Sequence, residues 1–180
     1  MSDRVGDPFS WKPGYEYVTT LNCHKGAGST YTILRDGSDF YLYSYRISYN
    51  FGIIKQLMVK MDNVIDLDKA EFFGASNMLS VIYYTVGNKL YGYDFARKKC
   101  ELLKTFDGYE ITLFVSDILV ETSSDYFYIA LYDPSKPAST GGMVKKYKVV
   151  DDVDHIIVEE EKGSEWKNLC KVKSMAFKTR

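Results

Sequence analysis

The chain has 180 residues, with 23 Lys plus Arg against 24 Asp plus Glu and a formal net charge of −1. That length supports one domain with a sizeable core, and the charge balance excludes the basic surface of a general nucleic-acid binder. Aromatic residues make up 16% of the chain, with 16 Tyr and 10 Phe, which suits strands whose rings pack on a pleated face while hydroxyls reach water or a partner.

In chain order, residues 1–14 are polar and hold Pro8 and Pro13, which predicts an irregular lead-in. Tyr15 to Leu21 alternates and reads as a strand. A Gly-containing loop follows, then a strand over Thr30 to Arg35, a turn at Asp36-Gly37-Ser38-Asp39, and a strand over Phe40 to Ile47. The Asp-Gly step is a strong hairpin signal. Ile53 to Met61 is a strand, and Asp62 to Asp68 a loop or single helical turn. Lys69 to Ala75 leads into a meander: Val81 to Val86, a turn at Gly87-Asn88, Lys89 to Phe95, a turn, and Cys100 to Phe106. Further strands are predicted over Glu110 to Ile118, Tyr126 to Tyr132, Met143 to Val150 and His155 to Glu161. Lys162 to Glu165 reads as a loop, and Leu169 to Phe177 ends in an alternating segment. The stretch DPSKPASTGG, from Asp133, is the most loop-like. No amphipathic helix exceeds about two turns, so the class is all-β.

Three meanders align. Their middle strands are LYSYRI from Leu42, LYGYDF from Leu90 and VKKYKV from Val144, which makes Tyr45, Tyr93 and Tyr147 equivalent at spacings of 48 and 54 residues. Four short antiparallel strands per ~40–50 residues is the period of a propeller blade. The expectation is a β-propeller-like domain over 15–180, with blades at about 15–61, 69–106 and 110–161 and a closing strand over 171–178. Propellers have ~4–8 blades, so three predict a partial propeller, or one that closes by self-association through unpaired blade edges. The alternative architecture is a β-sandwich.

Chemistry-bearing motifs are sparse. Cys23, Cys100 and Cys170 are an odd, widely spaced set and do not read as a disulfide framework. Cys23 and His24 are adjacent, no CxxC or HxxxH spacing exists, and His155 stands alone, so no metal site or cofactor is expected. No G-x-S-x-G is present, and Gly26-Ala27-Gly28-Ser29 lacks the Lys of a phosphate loop. Asp151/Asp152 and Glu159 to Glu161 read as solvated turn and edge charges. No catalytic residue is assigned. Aromatics near loops are the remaining ligand candidates: Trp11, Tyr15, Tyr49, Phe51, Tyr109 and Trp166. An exposed ring beside polar groups can stack on the C–H face of a sugar. No apolar run approaches the ~18 residues of a membrane helix, and residues 1–11 lack the apolar core of a signal peptide.

The combination KAEFFGAS, IYYTVGNKLYGYD and CELLKTFDGYEITLF resembles the propeller portion of the PKD-like family, surface or periplasmic lipoproteins of Bacteroidetes linked to SusC/SusD-type nutrient uptake. YTILRDGSDFYLYSYRI and GMVKKYKVVDDVD resemble its flanking blades. The resemblance covers about residues 9–180 and implies a non-catalytic binding or scaffold module, with glycans or outer-membrane uptake proteins as partners and the outer-membrane surface or periplasm as location. The family's lipoprotein signal and immunoglobulin-like region are not matched here. The rival expectation is a carbohydrate-active hydrolase or lyase using loop carboxylates, and a third is a structural fragment.

Overall fold

The computed structural model describes residues 14–23, 29–48, 52–76, 80–116, 125–152 and 154–175. Among them are three four-stranded antiparallel sheets, none closed, each a meander of consecutive strands. The chain divides into two compact units, Met1–Asp62 and Asn63–Arg180, which are taken in turn.

The first unit holds β1 (Glu16–Cys23), β2 (Ser29–Asp36), β3 (Asp39–Ser48) and β4 (Gly52–Lys60), in that spatial order. The Asp36–Asp39 pair closes the β2–β3 hairpin, with Gly37 at φ +60°, a conformation that suits glycine. One face buries Ile33, Phe40 and Leu42. The other carries buried Thr32 and Leu34, half-buried Tyr41 and Tyr43, and exposed Tyr17 (56%) and Met58 (39%). Alternating strands thus place apolar side chains on both faces.

The second unit holds two sheets. The first is β5 (Phe72–Ala75), β6 (Val81–Val86), β7 (Lys89–Asp94) and β8 (Lys99–Thr105). The second is β9 (Glu110–Ser116), β10 (Asp125–Tyr132), β11 (Gly142–Asp152) and β12 (His155–Leu169). They pack face to face over one core. Phe127, fully buried on β10, sits at its centre: its ring lies 5.9 Å from Tyr83, 5.2 Å from Phe114 and 5.2 Å from Tyr147. Leu90, Ile129, Leu131 and Ile156 extend the core.

Like strands overlie like strands, β5 against β9 and β8 against β12. β8 and β12 also run the same way. Glu101, early in β8, meets His155 and Ile156 at the start of β12. Further along, Phe106 and Lys104 reach Tyr147, whose β12 partner is Glu160. At the β5 edge the sheets come close: a Cβ on Gly74 would lie 2.4 Å from the Phe114 ring. At the β8 edge, long polar side chains bridge between them.

The other face of the β5–β8 sheet is also buried, through Ile82, Tyr84, Tyr91 and Tyr93. The Tyr84 hydroxyl donates to Ile65 O (2.7 Å), accepts from Ile65 N (3.2 Å) and lies 3.0 Å from Cys100 Sγ. It thereby holds the segment before the 3₁₀ turn at Leu67–Lys69. Tyr84→Phe removes a hydroxyl satisfied on all sides. The expected cost is ~1–3 kcal/mol, read as a lower urea midpoint at unchanged slope; an unshifted midpoint would mean the clasp contributes nothing.

All four strands of each expected meander form, and Tyr93 and Tyr147 lie on third strands as the alignment required. Two expectations are corrected. The predicted loop at 162–165 lies within β12, which continues to Leu169 by absorbing the extra residues as a bulge between the pairs Tyr147–Glu160 and Lys145–Glu165. The closing strand predicted over 171–178 does not form over 171–175: Lys171 N instead donates to Ala138 O (2.7 Å). The Lys171 ammonium caps the Tyr132 ring (4.5 Å) and pairs with Glu110 (2.7 Å), so this stretch ties down the 133–141 loop.

Candidate functional site

The outward face of the β9–β12 sheet is built by alternation. With Phe127, Ile129 and Leu131 turned to the core, Tyr126, Tyr128 and Ala130 take the opposite side of β10. Lys148 opposes Tyr126, Lys146 opposes Tyr128 and Val144 opposes Ala130 on β11, and Trp166 on β12 opposes Val144. Lys146 lies flat over this face. Its ammonium is 3.9 Å from the Tyr126 ring centre and 5.9 Å from that of Tyr128. Glu161 sits 2.7 Å from the same ammonium, a contact of charge rather than an aligned hydrogen bond. Partial burial pulls the Lys146 ammonium down, but Glu161 and the two tyrosines outweigh it and raise its pKa. Trp166, 49% exposed, lies 6.4 Å from Tyr128. The result is an aromatic surface with the Lys146–Glu161 ion pair over its tyrosines and Lys148 opposite Tyr126.

Two polar clusters bridge or border the sheets at their outer edge. In the first, the Glu101 carboxylate accepts from Lys99 Nζ (2.6 Å) and Ile156 N (3.3 Å) and lies 2.9 Å from His155 Nδ1. Partial burial raises the Glu101 pKa, but Lys99, His155 and the Ile156 N–H overcome it and hold the carboxyl at about 2. In the second, Lys145 sits 3.1 Å from Glu160 and 3.2 Å from Glu165, and the buried Tyr147 hydroxyl donates to Glu160 (3.4 Å). Burial, with the neighbouring Glu160 charge, pushes the Tyr147 phenol well up. Lys167 and Lys145 hold Glu165 below its usual range against the opposing effect of desolvation.

These shifts bear on chemistry. A glycosidase general acid needs a raised carboxyl pKa, whereas Glu101 and Glu165 are both lowered. Among the described residues no group of three or more His, Cys, Asp and Glu is placed to hold a metal ion, and no helix is long and apolar enough to cross a membrane.

The Glu101 clip has a signed pH dependence. A carboxyl held near 2 when folded and near the ordinary ~4.5 when unfolded contributes stability that is present above pH ~4.5. That contribution is lost as pH falls through the window from ~4.5 to ~2. Its size, for a carboxylate at the protein–water boundary, is on the order of 1 kcal/mol. Chemical denaturation across pH 2–7 should show a shallower acid decline for Glu101→Gln than for the unchanged chain. Parallel curves would remove the clip as a source of stability.

Of the six sequence-derived aromatic candidates, Tyr15 lies among the described residues of the first unit and Tyr109 and Trp166 among those of the second. Trp11, Tyr49 and Phe51 lie outside the described residues. Tyr15, in the first unit, packs edge-on against Tyr41 at 5.2 Å and 85°. Tyr109, in the β8–β9 turn, is partly buried against the core of the second unit. Trp166 belongs to the outward face described above. Sequence reasoning missed Tyr126, Tyr128 and Lys146 as partners of Trp166. The signal was the double alternation YFYIALY against VKKYKV, which puts aromatics and lysines on the side away from Phe127 and Tyr147.

No family model, curated protein or solved structure matches the chain.

Proposed function

We propose that this chain is a non-catalytic β-propeller-type binding or scaffold module, of the kind its family resemblance places at a cell surface or in the periplasm for glycan capture or uptake. The observation that carries the reading is the stacking in the second unit: the edge strands of two consecutive four-stranded meanders overlie like on like, β5 on β9 and β8 on β12, and β8 and β12 run in the same direction. Successive propeller blades are related in this way, by rotation about a common axis. Sandwiches also pack sheets face to face, so packing alone does not separate the two. The asymmetry of the gap favours blades. It is narrow at Gly74 against Phe114, where inner strands converge, and bridged by Lys99, Glu101 and His155 at the other edge, where blades diverge.

The non-catalytic part rests on the electrostatics. The carboxylates of the two clusters are engaged by lysines, and those with resolved shifts are lowered. A glycan array followed by calorimetry, with a pull-down from an outer-membrane fraction, tests the role. A saccharide ligand retained without turnover, or a membrane-protein partner, supports it. Product release from a polysaccharide would replace it with the hydrolase or lyase reading. Silence in all assays would leave only a structural fragment.

A further inference from the structure

We draw no further inference here: the strongest candidate, the aromatic outward face of the β9–β12 sheet around Trp166 and the Lys146–Glu161 ion pair, carries none because nothing in the structure shows what covers it.

Discussion

Phe127→Ala is expected to cost ~3–5 kcal/mol, because it removes a fully buried ring from the point where four aromatics meet. Tyr83 comes from one sheet, Phe114 and Tyr147 from the other, and all three lose their central neighbour. The cavity cannot close by a rotamer change, since Phe114 and Tyr147 are themselves 5% and 1% exposed and held by their strands. Against the ~5–15 kcal/mol of stability typical of native proteins, a loss of that order is a large fraction of the total. Denaturant unfolding followed by near-UV circular dichroism is the measurement. A loss under 1 kcal/mol would mean that the two sheets of the second unit are not packed through this ring.

The second large effect concerns backbone approach instead of bulk. Gly74→Ala puts a methyl group 2.4 Å from Phe114 Cε1 and 3.1 Å from Ser116 Oγ. Real Cβ atoms do not come so close, so either the ring or strand β5 must shift. The ring is confined by Tyr83 at 6.1 Å and Phe127 at 5.2 Å, which leaves the strand to move. Overpacking of this kind costs ~1–3 kcal/mol, and Val at the same position should cost more. Shortening the obstacle should rescue it: Gly74→Ala with Phe114→Leu is expected to lose less than the sum of the single changes, a coupling of at least ~0.5 kcal/mol. Strict additivity would place Phe114 away from β5 and undo the narrow inner edge on which the blade reading leans.

Much of the architecture was legible because strand periodicity and turn chemistry are local. VIYYTV, Gly87-Asn88 and LYGYD specify a hairpin without reference to anything else in the chain, and the structure forms it as β6 and β7. The two misjudged segments failed for non-local reasons. The 162–165 stretch reads as a loop because its polar, Gly-containing composition matches one. It extends a strand only because β11 offers a partner edge on both sides of the bulge. Residues 171–175 alternate as a strand would, yet the backbone of Lys171 is spent on the 133–141 loop and its ammonium on Tyr132 and Glu110.

The candidate site was less legible, because a surface is made by strands distant in the sequence. Trp166 was identifiable as an aromatic near polar residues. Its partnership with Tyr128 and Lys146 depends on the pairing of β12 with β11 and of β11 with β10. The polar clip of Glu101 with His155, 54 residues apart in the chain, carried no sequence signal at all.

By itself, then, the sequence determined the all-β class, the strand boundaries to within a few residues except at the C-terminal end of β12 and beyond it, and the threefold recurrence of a four-stranded meander, since these follow from side-chain alternation and turn residues. The tertiary structure decided which face of each strand is core, which carboxylates are pinned by lysines and where aromatics gather outside the core. Those outcomes depend on burial and on distances between strands, and neither quantity exists until the sheets are stacked.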